Sequence, residues 1–280
     1  MKNNEVFLIF SKDRALQLQG TIDSLLLNIE KKSPDIIVLY TTTDSRHELS
    51  YQTLIRENSQ IEFIKESNFK NNVIDILDDY SLIFFICDDT IFVNKFNVNH
   101  LKKIFLDNYN AIGFSLRLGL NTTYCYAHDT IQTIPSVTYV DAAKDIVRFE
   151  WTIAEYDFGY PLELSSSCYR TYDIKLLVSG YSFNNPNELE SLLSTLYYKI
   201  YASSYLLCYK TSVAFSNPVN RVQIFNNNRF GIADEYHQDA LLTNYELYDI
   251  IDIDKYQGIV VQGCHQEMPI YLKNTNLEAV

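Results

Sequence analysis

Five short apolar runs divide the first part of this 280-residue chain. The runs are 5–10, 35–40, 61–64, 82–86 and 111–116. Segments in which apolar residues recur at helical spacing lie between them, and 15–29 is the clearest. Strands that alternate with helices form parallel sheets, and strands covered by helices on both faces are continuously apolar. The sequence therefore predicts an α/β fold with a mainly parallel central sheet.

The alternation ends near residue 120. Residues 137–140 and 146–151 are strand candidates, and Pro186-Asn187-Glu188 opens a helix. Further along, 205–215 has strand character and a short helix is expected near 236–245. Neither a linker nor an internal repeat separates these elements, so we expect a single domain over 1–280 with two halves, 1–120 and 121–280.

Composition excludes several classes of function. The chain has 23 Lys and Arg against 35 Asp and Glu, a formal net charge of −12. Binding to nucleic acid or to an anionic membrane needs basic surface, so neither is expected as the main activity. No window approaches the length of an integral membrane segment. The 5 cysteines are widely spaced and form no C-x-x-C pair, which favours a reducing, cytoplasmic location over a disulfide framework or a structural zinc site.

Two adjacent carboxylates, Asp88 and Asp89, follow the fourth apolar run in LIFFICDDTIFV (82–93). Ligands of open α/β sheets bind beyond the carboxyl ends of the strands. Two neighbouring carboxylates repel each other unless a cation lies beside them. Mg²⁺ prefers oxygen ligands and typically takes one or two carboxylates together with substrate phosphates. The pair therefore indicates a divalent cation that carries a diphosphate, while the alternative is an Asp-Asp turn cap.

Four stretches resemble the nucleotide-sugar glycosyltransferases of the GT-A type, close to the broad family-2-like group of bacterial enzymes. They are FLIFSKDRALQLQGTIDSLL (7–26), ICDDTIFV (86–93), FGYPLELSSSCYR with FNNPNELE (158–170 and 183–190), and CHQEMP (264–269). The second resembles the Asp-x-Asp region of the family, with Cys87 at its first position.

This resemblance implies a GT-A-like, Rossmann-like sheet flanked by helices, with a smaller acceptor-side lobe. Residues 1–120 would bind the nucleotide sugar and residues 121–280 the acceptor. The implied reaction moves a sugar from a UDP- or GDP-sugar to a hydroxyl of a glycan, a lipid-linked acceptor or a protein. The implied setting is cytoplasmic assembly of a bacterial surface polysaccharide or glycoprotein glycan, and peripheral association with the inner membrane face stays open. Inversion at the anomeric carbon is expected by analogy alone.

The resemblance also implies roles on the donor side. Ser11 and Arg14 would border the nucleotide, and Asp44 would accept hydrogen bonds from the base or the ribose. Two alternatives stay open: Arg14 could pair with acidic residues on the surface, and Asp44 could cap the helix that follows it.

The implied cofactor is Mn²⁺ or Mg²⁺. Asp89 would hold the ion, and Asp88 would take the bridging position that Cys87 leaves vacant. His265 would complete the coordination through a neutral imidazole nitrogen. The alternative for His265 is a partly buried histidine without a ligand role.

Deprotonation of the acceptor needs a base, and Glu188 and Glu190 are the candidates. Both lie in the first turn of the helix that Pro186 opens, where the helix dipole favours a carboxylate. Being two residues apart, they point to different sides, and the resemblance favours Glu190. A second group, Glu150, Glu155 and Asp157, flanks an aromatic cluster that could stack on a sugar or belong to the core.

Two other functions compete with transfer. Cys87 raises the possibility of a catalytically inactive module that binds nucleotide sugars. A metal-dependent nucleotidyltransferase would also use paired aspartates, although neither a G-x-x-x-x-G-K-type loop nor a G-x-G-x-x-G motif follows the first apolar run.

Overall fold

Helices and strands alternate along the first half of the chain, as the apolar pattern predicts. The computed structural model describes residues 4–30, 34–197, 204–222 and 229–275. The first-half elements are β1 Glu5–Lys12, α1 Ala15–Asn28, β2 Asp35–Thr41, α2 Ser45–Glu57, β3 Glu62–Lys65, α3 Phe69–Asp79, β4 Leu82–Cys87, β5 Thr90–Phe92, α4 Val98–Asp107 and β6 Ala111–Ser115. The five predicted strands and the helices between them are confirmed.

The second half adds shorter strands and three helices to the described structure. Its elements are β7 Tyr124–Cys125, β8 Thr130–Ile131, β9 Val137–Tyr139, β10 Ile146–Glu150, β11 Ser166–Arg170, α5 Thr171–Val178, α6 Pro186–Leu196, β12 Tyr205–Tyr209, β13 Ala214–Ser216, α7 Gln238–Glu246, β14 Asp249–Ile251 and β15 Leu272–Asn274. None of the helices in the described part of the chain has the length and apolar character that crossing a lipid bilayer requires.

Nine strands form the central sheet in the order β3-β2-β1-β4-β11-β6-β12-β10-β9. The pairs β2–β3, β1–β2 and β1–β4 are parallel, as is β6–β12. The strands β11, β10 and β9 pair antiparallel with their neighbours. The predicted α/β class is therefore confirmed: β1 to β4 form a parallel block, and the second half adds the antiparallel strands β9, β10 and β11 together with β12, which is parallel to β6.

Both faces of this sheet are buried. In β1, Phe7 and Ile9 pack into the core on one face, and Val6, Leu8 and Phe10 pack into the core on the other. All five are at most 4% exposed. This two-sided burial explains why β1 is apolar at five consecutive positions, 6–10, rather than at every second one.

Two features of the second half differ from the sequence pattern. Residues 166–170, within the stretch 158–170 that resembles the GT-A group, form β11 between β4 and β6. Two serines begin this strand, and Ser167 donates its hydroxyl to Glu163, so the segment lacks a continuous apolar run. The predicted strand 205–215 is two strands, because the polar residues Lys210, Thr211 and Ser212 separate β12 in the main sheet from β13, which pairs with β5.

Gly113 in β6 makes room for the ring of Tyr169 in β11. A Cβ at this position would lie 2.6 Å from Tyr169 Cε1 and 3.0 Å from the carbonyl oxygen of Cys168. Such overpacking forces neighbouring groups to shift. We therefore expect Gly113→Ala to lower the free energy of unfolding by about 1–3 kcal/mol, measured by urea denaturation.

Gly180→Ala is the matched control, because nothing lies within 4 Å of the Cβ that it would add. We expect its effect to stay within about 0.5 kcal/mol. Equal effects of the two substitutions would contradict the packing explanation.

Candidate active site

A cleft of about 970 Å³ opens at the carboxyl edge of β1, β2 and β4. Ser11, Arg14, Thr41 and the Asp88–Asp89 turn line it from the first half of the chain. Arg117, after β6, lines it too, and the second half contributes Tyr156, Asp157, Tyr160, Glu190 and His265. Residues that are far apart in sequence therefore meet where ligands of open α/β sheets bind.

Asp88 is buried and joins the turn after β4 to the end of β1. Its Oδ2 accepts hydrogen bonds from Ser11 Oγ at 2.9 Å and from the backbone N–H of Lys12 at 3.2 Å. Its Oδ1 pairs with Arg14 Nη1 at 3.0 Å. Ser11 Oγ also contacts the hydroxyl of Tyr51 on α2. Both carboxylate oxygens of Asp88 are thus engaged in fixing the loop between β1 and α1.

Arg14 is the cation between the two aspartates, and its side chain is 9% exposed. Nη1 also lies 3.4 Å from Asp89 Oδ2, and Nη2 donates to the carbonyl of Asn220 at 2.7 Å. Burial alone would lower the pKa of Arg14, but the charges of Asp88 and Asp89 outweigh it and the pKa is raised. Arg14 therefore pairs inside the cleft and not with acidic residues on the surface.

Asp89 has fewer partners than Asp88. Burial raises the pKa of its carboxyl to about 6, the charge of Asp88 adds to this, and Arg14 opposes it. A buried carboxylate with spare lone pairs gains most from a further cation. Asp89 is therefore the carboxylate of the pair that is free to bind a ligand.

The small sheet of β5 and β13 brings His265 to the same place. Asn217, directly after β13, donates its backbone N–H to the carbonyl of Asp89 at 2.8 Å. On the other side, Ser216 forms a bridge with His265. Burial, and then the charge of Arg117, lowers the pKa of His265 to about 4, so its imidazole is neutral at neutral pH.

The described residues contain no group of three or more His, Cys, Asp and Glu side chains able to hold a metal ion. Asp89 and the neutral His265 would supply only part of the ligand set that a divalent cation needs. Mg²⁺ commonly completes such a set with substrate phosphates. The residues present therefore fit a divalent cation that arrives with a diphosphate, rather than one held by the protein alone.

Glu190 lines the cleft from α6. Its Oε1 accepts a hydrogen bond from the backbone N–H of Leu164 at 3.3 Å. Burial raises the pKa of its carboxyl to about 7, the charge of Glu163 adds to this, and Arg117 opposes it. A carboxylate that titrates near neutral pH can accept a proton and release it again, as a general base must.

Glu188 has a different position. Its carboxylate accepts hydrogen bonds from the backbone N–H and the side chain of Asn184 and from the side chain of Asn185. Asn185 in turn accepts from the backbone N–H of Glu188 at 2.9 Å. This reciprocal arrangement is a capping box at the start of α6, and Glu188 is not among the residues that line the cleft.

Asp44 is exposed at the N-cap of α2 and accepts from the backbone N–H groups of His47 and Arg46. These bonds, with that of His47 the largest, lower its pKa. The structure gives Asp44 the capping role that the sequence allows and does not bring it to the cleft. Glu66, directly after β3, lines the cleft near Thr41.

The aromatic cluster divides into two kinds of residue. Trp151 and Phe158 belong to the core, whereas Tyr156 and Tyr160 line the cleft and stay partly exposed. Tyr156 has a φ of 53°, which is uncommon for a bulky side chain. Asp157 is buried and exchanges two hydrogen bonds with Gln132, at 3.2 and 3.1 Å.

Sequence reasoning missed a buried ion pair at the base of the cleft. Arg117 Nε lies 3.4 Å from Glu163 Oε1, and both side chains are 3% exposed. Glu163 lies in a stretch that the family resemblance picks out, but nothing local marks its role. Arg117 follows β6, and only the three-dimensional fold brings it beside Glu163.

Comparison with known proteins adds one sequence relative. No protein-family model matches the chain. The bifunctional glycosyltransferase pgtA of Dictyostelium discoideum is 28% identical over 214 residues, which are 68% of this chain and 28% of that protein. The chain therefore spans less than a third of the length of this relative.

Solved structures of S. aureus TarS are also similar. One is 14% identical with a TM-score of 0.44, covering 74% of this chain and 35% of TarS. Residues 1–349 of TarS in complex with UDP are 14% identical with a TM-score of 0.47, covering 88% of this chain and 71% of that one. The sequence similarity to pgtA agrees with the resemblance that the motifs indicate: this chain is similar in sequence to part of a bifunctional glycosyltransferase.

Proposed function

We propose that this protein transfers a sugar from a UDP- or GDP-sugar to an acceptor hydroxyl, with Mg²⁺ or Mn²⁺ and with inversion at the anomeric carbon. One observation carries the proposal. Asp89, which has spare capacity for a cation, and Glu190, which titrates near neutral pH, line the same cleft from different halves of the chain. The sequence similarity to pgtA supports the reaction class.

The nucleotide would lie against the first half. Arg14 and Ser11 border the cleft there and are held in place by Asp88. Glu66 is the carboxylate that lines the cleft after β3, so we assign to it the contact with the ribose or the base that the family resemblance places at Asp44.

Asp89 and His265 would hold the divalent cation together with the diphosphate of the donor. When bound, the cation would stabilise the negative charge that develops on the departing diphosphate. Arg14 keeps the Asp88–Asp89 turn in a fixed position, so that the ion and the nucleotide meet a preformed edge.

Glu190 is the residue that we assign as the base. Its carboxylate takes the proton of the acceptor hydroxyl as the acceptor oxygen bonds to the anomeric carbon. The bond between that carbon and the diphosphate breaks, and its electron pair leaves with the diphosphate. The N–H of Leu164 holds the carboxylate during this step.

The second half would bind the acceptor. Tyr156 and Tyr160 present partly exposed rings to the cleft, and aromatic rings with a polar tip suit carbohydrate surfaces. The resemblance to the bacterial group supports a role in cytoplasmic assembly of a surface polysaccharide or a glycoprotein glycan.

A nucleotide-sugar screen tests the reaction class. With Mn²⁺ present, we expect one UDP- or GDP-sugar to raise the melting temperature, because a ligand at about 100 times its Kd adds about 2.7 kcal/mol to folding stability. The same donor should be slowly hydrolysed in the absence of an acceptor. A screen without any stabilising donor would contradict the proposal, and binding without turnover would favour an inactive binding module.

Glu190→Gln tests the assignment of the base. We expect kcat to fall by about 10²- to 10⁴-fold, because the amide cannot accept the proton, with donor affinity retained. Glu188→Gln is the matched control on the same helix: a glutamine preserves the capping box, so the rate should stay near that of the wild type. Equal losses in the two variants would contradict the assignment.

Asp89→Asn tests the cation site. Calorimetry should show Mn²⁺-dependent binding of UDP or GDP weakened by about 10- to 100-fold, with metal-free nucleotide binding little changed. Asp107→Asn, on the exposed end of α4, is the control. Unchanged Mn²⁺ dependence in Asp89→Asn would remove the metal from the proposal.

A further inference from the structure

Glu163 is buried, and hydrogen bonds to both of its carboxylate oxygens hold it in place. Its Oε2 accepts from the backbone N–H and the hydroxyl of Ser165, the latter at 2.6 Å, and from the backbone N–H of Ser166 at 3.1 Å. Its Oε1 accepts from the hydroxyl of Ser167. The hydroxyl of Tyr169 donates to the carbonyl of Glu163 at 2.8 Å. The carboxylate therefore organises the loop that precedes β11.

Arg117 is the counter-charge of Glu163. The two side chains approach to 3.4 Å, but Arg117 Nε is buried without a hydrogen-bond partner. Burial would raise the pKa of Glu163, yet Arg117 and the serine donors hold it below its usual range. Glu163 is thus ionised, and its interaction with Arg117 is mainly one of charge.

Leu164 connects this pair to Glu190. It follows Glu163 directly, and its N–H is the donor to Glu190 Oε1. The loop that Glu163 organises therefore also sets where the Glu190 carboxylate lies. The charge of Glu163 disfavours ionisation of Glu190, whereas the charge of Arg117 favours it.

Other titratable groups that face Glu190 carry no charge at neutral pH. They are Cys87 on β4, Tyr160 after the 3-10 helix Tyr156–Gly159, and Tyr169 on β11, and burial raises the pKa of each. Within the described residues, the charges that act on Glu190 therefore come from Glu163 and Arg117.

We propose that Glu163 and Arg117 are positioning residues, a balanced charge pair that fixes the Glu190 carboxylate and sets the pH at which it works as the base. The inference rests on the proposed function of Glu190. Neither residue of the pair needs to touch the substrate for this role. Glu163 and Arg117 act on the ionisation of Glu190 in opposite directions.

Substitution of Glu163 and of Arg117, one at a time, tests the direction in which each charge shifts the pKa of Glu190. Glu163→Gln leaves the positive charge of Arg117 unbalanced, so the pKa of Glu190 falls. The acidic limb of the pH profile of kcat/KM should therefore move to lower pH by about one unit. Arg117→Gln leaves Glu163 unbalanced, so the limb moves to higher pH. Arg117→Lys restores the charge and should bring the limb back towards the wild-type position.

A second measurement does not need activity. The Glu190 carboxyl signal can be titrated by NMR in protein with isotope-labelled glutamate, and Glu190→Gln assigns it. Opposite shifts in Glu163→Gln and Arg117→Gln support the proposal. Shifts in one direction, or none, overturn it. If the shifts occur but no donor is turned over, the charge pair stands and the proposed glycosyltransferase function fails.

Circular dichroism and melting temperature check that the variants are folded. If Glu163→Gln does not fold, the comparison of Arg117→Gln with Arg117→Lys decides the question: equal positions of the acidic limb in these two variants overturn the proposal.

Discussion

The buried contact of Arg14 with Asp88 and Asp89 is the interaction on which the edge of the sheet depends. It joins the end of β1, the turn after β4 and, through the carbonyl of Asn220, a segment more than 200 residues away in sequence. Two adjacent carboxylates could not both be ionised at this depth without a cation. Removing one partner of such a buried pair costs about 3–5 kcal/mol, because the remaining charge stays desolvated. The arginine therefore supplies a permanent internal charge, and Asp89 keeps capacity for a second cation.

The same balance of charge explains why a cysteine, and not an aspartate, stands at position 87. This position lies beside Asp88 and Asp89, and its thiol also lies in the field of Glu190 and Glu163. Burial, followed by these carboxylates, raises the pKa of the thiol well above its ordinary value, so the group is neutral. An aspartate here, as in the Asp-x-Asp region that the motif resembles, would add a further negative charge to a buried acidic cluster. The cysteine avoids this repulsion and leaves Asp88 to organise the loop after β1.

Sequence reasoning succeeded where a feature is local. Residues 6–10 and 82–86 are apolar at every position because both faces of their strands are buried, so the α/β class of the fold could be predicted. The position of Asp88 and Asp89 at a carboxyl edge followed from it. The Glu163–Arg117 pair could not be predicted, because it depends on β11 entering the sheet between β4 and β6. Asp44 shows the limit of a local signal: the structure confirms the cap that the sequence allows, and Asp44 is not among the residues that line the cleft.

Burial of Glu190 and burial of its neighbour Glu163 have opposite effects on the stability of the fold. The pKa of Glu190 is raised above its unfolded value by burial and by Glu163, so the folded chain binds a proton at Glu190 more tightly than the unfolded chain does. The resulting stabilisation is present at acidic pH and is lost as the pH rises from the unfolded value towards about 7. The folded protein therefore gives up stability to keep an ionisable carboxylate at this depth. Glu163 behaves in the opposite way, since its lowered pKa makes ionisation favourable to folding above its unfolded pKa. The ionised form of Glu163 is favoured and that of Glu190 beside it is disfavoured. This combination moves the pKa of Glu190 towards neutral pH, where a general base works.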